Sequence, residues 1–421
     1  MKRLRGMYDV TPDRVWIWQK LEAIVTNLLN NYGYQEIRFP LLEKTALFHS
    51  AIGEVTDVVE KEMFTFTDRK DVSISLRPEG TASTVRAVLE NGLIFNEPQK
   101  LWYSGPMFRY EKPQKGRNRQ FSQIGVEVFG YPGAEADAEL LLMTHRMWQQ
   151  LGIENVRLEL NSLGSTECRE KYRNVLIAYF EQHLDVLDAE AKSRLHSNPL
   201  RLLDSKNPDM KAVIKTAPSI ADYLSDEAKD HFERLCTILD ACNVPYEINH
   251  RLVRGLDYYS HNVFEWITHD LGSQGTLCAG GRYDALVEMQ GGKPTPATGF
   301  AMGLDRLVEL IVDKQLWQAE AQTDVYIVWD KQVAVDKVMA ISEQLRDDLP
   351  DITVMMHLSE ASFKSQFKKA DKVGAQFTLI MGPDEMEQQS ISVKAMQDRN
   401  IPQQQLSYQD VVSFLKQHLG N

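Results

Sequence analysis

Cysteine is scarce in this chain of 421 residues: Cys168, Cys236, Cys242 and Cys278 are all there are, and no two form a Cys-x-x-Cys pair. That argues against a disulfide framework or a structural zinc site and makes a reducing, cytoplasmic setting the expected one. Long apolar runs are also missing, so no segment is predicted to span a bilayer. The first residues, MKRLRGMYDVTPDRVW, are basic but lack an apolar stretch, are not Ser-rich and carry Asp9 and Asp13. Neither a signal peptide nor an organelle transit peptide is expected. Positive charge is not in excess, with 47 Lys and Arg against 59 Asp and Glu and a net charge of −12. That argues against broad coating of nucleic acid but leaves room for a local basic groove, because association depends on where charge sits. Neither G-x-x-x-x-G-K-S/T nor G-x-G-x-x-G occurs, which removes two common nucleotide-binding loops.

What is present is an ordinary globular composition, 43% hydrophobic and 25% charged. The length suggests about two or three domains. Asp13 to Asn31 has helical apolar spacing and stops at Gly33; YQEIRFPLLEK then reads as extended, ended by Pro40. VSISLRPEGTASTVRAVLE reads as strand, loop and helix. KLWYSGPMFRYE and RQFSQIGVEVFG read as a hairpin around KPQKGRN. Period two puts Ile124, Val126 and Val128 on one face and Phe121, Gln123, Gly125 and Glu127 on the other, with Arg109 and Glu111 sharing a face of the first strand. From about 169 to 242 the text is helical and charged, an apparent insertion. CAGGRYD reads as a Gly-rich turn, and TGFAMGLDRLVELIV as a strand entering a helix. After the linker DKQLWQAEAQTD, strand and helix alternate through VYIVW, ITVMMHL and FTLIMG, a small α/β domain of about 100 residues.

The hairpin tip sets Arg109, Lys112, Lys115, Arg117 and Arg119 around Glu111, bracketed by Phe108 and Phe121. Arginines beside aromatic rings suit a polyphosphate and a stacked base. A basic hairpin tip is more often merely solvated. In RPEGT, Glu79 has two readings: a first-turn carboxylate on a helix N-terminus, or the partner of a substrate ammonium group. In LVRGLDYYS, Arg254 and Asp257 form a buried ion pair or something more. In GFAMGLDRL, Arg306 falls in the first turn of a helix, a placement that suits phosphate.

Taken together these segments resemble the histidyl-tRNA synthetases of class II. YQEIRFPLLE is similar to motif 1, FRYEKPQKGRNRQFSQ to motif 2 and GFAMGLDRL to motif 3, while LVRGLDYYS and AGGRYD resemble the two histidine signatures. The resemblance covers essentially the whole chain. It implies an α+β catalytic domain over residues 1–320, an antiparallel sheet flanked by helices, and a separate α/β anticodon-binding domain over 325–421.

The resemblance also implies roles. Arg109 and Arg254 would hold the α-phosphate of ATP, with Arg254 where other class II enzymes rely on a metal ion. Glu111 would contact the adenine amino group, Phe121 would stack on the ring, and Arg117 and Arg306 would clamp the γ-phosphate. Glu79, Gly80 and Thr81 would take the α-ammonium group of L-histidine, with Gln123 beside them. Glu127 and Tyr258 would hydrogen-bond the imidazole, and Tyr259 and Tyr283 would shape the pocket. Mg²⁺ would accompany ATP; no prosthetic group, zinc or membrane is expected. The other partners implied are tRNA(His), with Gln114 near the acceptor end and Lys364, Lys368 and Lys372 on one helix face of the C-terminal domain, and a second copy of the chain as a homodimer. Those lysines also read as a plain solvated face. Two competing readings are a histidine-binding regulator of a biosynthetic phosphoribosyltransferase and a nonenzymatic tRNA-binding or kinase-regulatory module. The arginine motifs weigh against both, and the C-terminal domain weighs against the first.

Overall fold

The computed structural model describes residues 1–419 except 54, 55, 57, 206, 255, 257, 273, 274 and 320–322. It divides into two compact units, Met1–Trp317 and Gln318–Asn421. Among the described residues no helix is long and apolar enough to cross a membrane.

In the first unit, α1 (Pro12–Asn31) starts on a proline, whose missing N–H costs nothing in a first turn, and buries Leu21, Val25, Leu28 and Leu29. Next come β1 (Gln35–Glu36), β2 (Leu42–Lys44), α2 (Thr45–Ile52), β3 (Thr65–Thr67) and β4 (Ser73–Leu76). Strands β2, β4 and β3 form a small antiparallel sheet in that order. From it the Arg77–Gly80 segment leads into α3 (Thr81–Glu90). The hairpin is β5 (Gln99–Phe108) and β6 (Gln120–Phe129), with Tyr103 opposite Gly125. Because β5 ends at Phe108, Arg109 and Glu111 lie in the connecting loop, and strand alternation does not govern them.

The chain continues through α4 (Ala134–Leu151), β7 (Arg157–Ser162), α5 (Thr166–Glu181), α6 (Ala189–Arg194), α7 (Lys211–Thr216) and α8 (Asp226–Ala241). It then forms β8 (Glu247–Ile248), β9 (Ser260–Ile267), β10 (Thr276–Arg282), α9 (Leu286–Met289), β11 (Ala297–Gly303) and α10 (Leu304–Asp313). An eight-stranded sheet results, in the order β1-β5-β6-β11-β10-β9-β7-β8. It is antiparallel except at its two edges, where β1 runs parallel to β5 and β8 parallel to β7.

One face of this sheet is dry. Ile124, Val126 and Val128 of β6 pack there with Leu21 and Val25 of α1, Leu140 and Met147 of α4, and Leu304, Leu307, Val308 and Ile311 of α10. Each such side chain contributes about 1.5–3 kcal/mol by leaving water. The opposite face carries the polar partners from the same strands, so period two in β6 separates core from cavity. The stretch from 169 to 242 is helical but is not one body. Tyr172, Leu176 and Phe180 of α5 belong to the same apolar cluster as Phe48, Ala82 and Tyr283, whereas Leu235 and Leu239 of α8 join the core with α1 and α4.

The Gly-rich segment CAGGRYD is not a turn. Cys278 to Arg282 lie within β10, a central strand paired on both sides. Gly280 is there for close approach: a Cβ would lie 2.1 Å from the Gly299 carbonyl oxygen. The same residue type serves turns and crowded strands, which is why the pattern misleads.

The second unit builds β12 (Val325–Trp329), α11 (Val335–Asp348), β13 (Val354–Met356), α12 (Phe363–Lys372), β14 (Phe377–Met381), α13 (Pro383–Glu387), β15 (Ile391–Ala395), β16 (Gln404–Leu406) and α14 (Tyr408–Leu419). Its sheet order is β13-β12-β14-β15-β16, parallel through β14 and antiparallel beyond. Strand–helix alternation accounts for the parallel half; it does not reach β15 and β16, which are short and partly polar.

Candidate functional site

A cavity of about 190 Å³ opens over the polar face of the large sheet. Its wall contains Glu79, Thr81, Arg109, Glu111, Arg117, Phe121, Gln123, Glu127, Arg254, Tyr258, Tyr259, Tyr283 and Arg306. These come from the loop before α3 and its first residue, the hairpin and its connection, the segment before β9, the residue after β10 and the first turn of α10. Gly80 is not in the wall.

The end of the cavity towards the hairpin loop is cationic. Arg109 donates through Nε to the Pro78 carbonyl at 2.8 Å, and its guanidinium lies over the Phe121 ring at 5.4 Å. Arg117 forms an ion pair with the buried carboxylate of Glu111. Arg306 donates through Nη1 to the Thr276 carbonyl at 2.6 Å and through Nε to that of Gly116 at 3.4 Å. Burial, followed by the charges of Arg117, Arg109 and Arg254, pushes the Arg306 pKa down. Burial likewise lowers that of Arg109. Like charges held this close are relieved by an anion of several charges.

Arg254 forms an ion pair through Nη1 with Glu265 Oε1. Burial works against its charge, but the Glu265 carboxylate prevails and the pKa is raised. The second Glu265 oxygen accepts from Thr276 Oγ1 at 3.1 Å. The alternative partner weighed from sequence, Asp257, lies outside the described residues, as does Gly255. Among the described residues Arg254 Nε and Gln123 Oε1 are buried without a hydrogen-bond partner. Unmet polar atoms in a cavity wall are where a polar ligand is expected.

The deeper end is acidic and phenolic. Glu79 accepts from the backbone N–H groups of Thr81 at 2.7 Å and Ala82 at 2.8 Å, so it does cap α3. Its pKa is nonetheless raised, by burial. Glu127, 1% exposed, accepts from Thr81 Oγ1 at 2.8 Å and from the Tyr283 hydroxyl. Burial outweighs these donors and raises its pKa to about 8. The Tyr258, Tyr259 and Tyr283 rings pack on one another, with centroids 4.7 to 6.4 Å apart. Among the described residues no group of three His, Cys, Asp or Glu is placed to hold a metal.

Sequence reasoning missed Glu265, Thr276, Asp305 and Tyr8. Asp305 is buried and accepts from Tyr8 Oη at 2.5 Å, Ser122 N at 2.8 Å and Asn118 Nδ2 at 3.4 Å. It ties the N-terminal segment to the hairpin. Asp305 stands beside Arg306 in the same motif, but its partner is 297 positions away and no local signal pairs them.

Residues 6–307 match the family model for histidyl-tRNA synthetase, and residues 321–418 match that for an anticodon binding domain. A crystal structure of apo S. aureus histidyl-tRNA synthetase is similar over 99% of this chain and 100% of that one, with 34% identity and a TM-score of 0.83. A histidyl-tRNA synthetase from Nostoc sp. PCC 7120 shares the fold over 99% of each chain, with 19% identity and a TM-score of 0.71. The fold is also shared by an ATP phosphoribosyltransferase regulatory subunit/histidyl-tRNA synthetase from Bacillus halodurans C, at 21% identity and a TM-score of 0.65, over 90% of this chain and 97% of that one.

Proposed function

Because the chain belongs to the histidyl-tRNA synthetase family of aminoacyl-tRNA ligases, we propose that it activates L-histidine with ATP and then esterifies tRNA(His). The observation that carries this reading is the convergence of Arg109, Arg117, Arg254 and Arg306 with Glu79, Gln123, Glu127 and Tyr258 in one cavity. One end suits a polyphosphate, the other a cationic amino group and a polar ring.

In the first step the histidine carboxylate attacks the α-phosphorus, a C(O)O–P bond forms, and the bond to pyrophosphate breaks. Negative charge gathers on the α-phosphate oxygens as this happens, and fixed cations aimed there lower the barrier. Arg109 and Arg254 would supply them. Arg117 and Arg306 would hold the γ-phosphate, Phe121 the adenine ring and Glu111 its amino group. Class II synthetases take ATP as its Mg²⁺ complex, so the metal enters with the substrate. In this reading the pairs Arg117–Glu111 and Arg254–Glu265 keep the cations ordered before ATP arrives. In the second step a ribose hydroxyl at the tRNA 3′ end attacks the histidyl carbonyl and AMP leaves.

Glu79, Thr81 and Gln123 would take the α-ammonium group, and Glu127 and Tyr258 the imidazole nitrogens. Buried partners for both nitrogens select histidine strongly, because an analogue lacking them strands polar groups out of water. The match of residues 321–418 supports anticodon binding by the second unit, and the exposed Lys364, Lys368 and Lys372 on α12 are suited to phosphate contacts. A homodimer is supported by exposed Leu42 and Phe66 on the three-stranded sheet and by exposed Leu41, which follows Pro40 just before β2.

The test is pyrophosphate exchange into ATP with each amino acid, followed by charging of tRNA(His). Exchange with histidine alone, and charging, is the expected result. Histidine binding with neither exchange nor charging would favour the regulatory reading, which the shared fold of the Bacillus halodurans C protein keeps in view.

A further inference from the structure

Tyr103 lies behind the cavity wall rather than in it. It occupies the middle of β5, opposite Gly125 on β6, and is 2% exposed. Its ring fills space that two glycines leave open. A Cβ on Gly125 would lie 2.0 Å from its Cζ, and one on Gly80 would lie 2.2 Å from its Cε2. Phe39 meets the ring edge-on, centroids 5.2 Å apart, and the Arg77 guanidinium covers Phe39 at 4.8 Å. The ring therefore has little freedom to turn. Gly80, absent from the cavity wall, acts on the site by admitting this ring.

Held this way, the Tyr103 hydroxyl ends 3.5 Å from Glu127 Oε1. Thr81 donates to the same oxygen, and Tyr283 to the other. One buried carboxylate is thus surrounded by hydroxyls from three segments: the start of α3, the middle of β5 and the residue that follows β10. A separation of 3.5 Å is longer than a usual O–H···O bond, so the hydroxyl stands within reach of the carboxylate rather than closed onto it. A carboxylate selects a ring N–H only if its lone pair points within about 10–20° of the ligand. Among the described residues no ion pair fixes that direction for Glu127; the Thr81, Tyr103 and Tyr283 hydroxyls lie against it, and the Glu79 carboxylate acts on it as well.

We propose that Tyr103 is a positioning residue for amino-acid selection, its hydroxyl wedged beneath Glu127 by Gly80 and Gly125 so that the carboxylate faces an imidazole N–H. The proposal rests on reading this cavity as a histidine site. Phe39 lies in the segment that resembles motif 1, so the wedge also couples that segment to the selecting carboxylate.

Tyr103→Phe keeps the ring and its stacking and removes only the hydroxyl. Histidine affinity by calorimetry, and KM for histidine and for ATP in pyrophosphate exchange, are measured on wild type and variant. The expected result is a roughly five- to tenfold weaker histidine Kd and higher histidine KM, with KM for ATP changed less than about twofold. Discrimination against an amino acid with an apolar ring of similar size should fall by the same factor. Calorimetry counts binding-competent molecules, so a shift in melting temperature does not obscure the Kd. An unchanged histidine Kd, or equal losses for histidine and ATP, overturns the role of Tyr103. Failure of the wild type to bind histidine overturns the reading of the cavity and this proposal with it.

Discussion

Arg254 and Glu265 form an ion pair with side chains only 21% and 16% exposed, and the rest of Arg254 borders the cavity. A buried pair of this kind adds little net stability, because desolvation offsets attraction, yet breaking it from one side is costly. That asymmetry separates structure from catalysis. Arg254→Ala should slow single-turnover adenylate formation by about 10²–10³. It should also lower the melting temperature, since Glu265 is left buried without its cation. Adding Glu265→Ala should restore stability but not rate. The check is a melt and a rapid-quench measurement on both single variants and the double. Recovery of rate in the double variant would show that Arg254 serves only to neutralise Glu265.

Glu127 gives a pH test with a definite sign. Its pKa rises from the ordinary 4.5 to about 8 because it is buried. The folded chain then holds a proton that the unfolded chain has released. Stability falls as pH rises through that window, and the cost levels off above about 8. Glu127→Gln does not titrate. Its melting temperature relative to wild type should therefore climb between pH 5 and pH 8, while histidine use in the exchange assay falls steeply. A constant difference across that range would mean the carboxyl is not perturbed.

The polar face of β6 was legible because alternation has a physical cause: once Ile124, Val126 and Val128 face the core, Phe121, Gln123 and Glu127 must face away. Arg306 was legible for a similar reason, since the apolar stripe of Leu304, Leu307, Val308 and Ile311 fixes where α10 begins. What stayed hidden are the contacts that prepare these groups. Glu265 reaches Arg254 from the neighbouring strand, and Tyr8 reaches Asp305 from the far end of the chain. Neither pairing leaves a local pattern. Glycine misled at CAGGRYD because its lack of a side chain serves a crowded strand as well as a turn.

A chain stopped after Trp317 should keep pyrophosphate exchange with histidine and lose most tRNA charging. The basis is the division of the fold: every residue of the cavity wall lies in the first unit, and the second has its own core around Val325, Ile327, Leu379 and Leu415. Exchange and charging are compared on the purified truncated and full-length proteins. Full charging by the shorter chain would remove the anticodon role from residues 318–421.

Tyr8 tests the N-terminal tie. Its hydroxyl donates to Asp305, and the same carboxylate holds Ser122 of β6 and Asn118 of the hairpin loop. The backbone reinforces the tie, with the Gly6 carbonyl accepting from Arg119 N at 2.8 Å. All of these contacts fall at the cationic end of the cavity, remote from Glu127. Losing a hydrogen bond to a charged group costs about 1.5–3 kcal/mol. Burial already raises the Asp305 pKa, and the Tyr8 donor acts against that rise. Tyr8→Phe should therefore lower the melting temperature and weaken ATP use, because the loop carrying Arg117 loses one of its anchors. KM for histidine should stay near wild type. If the tie were only structural, the melting temperature would fall while both KM values stayed put. A larger defect for histidine than for ATP would show that the N-terminal segment acts on the other end of the cavity.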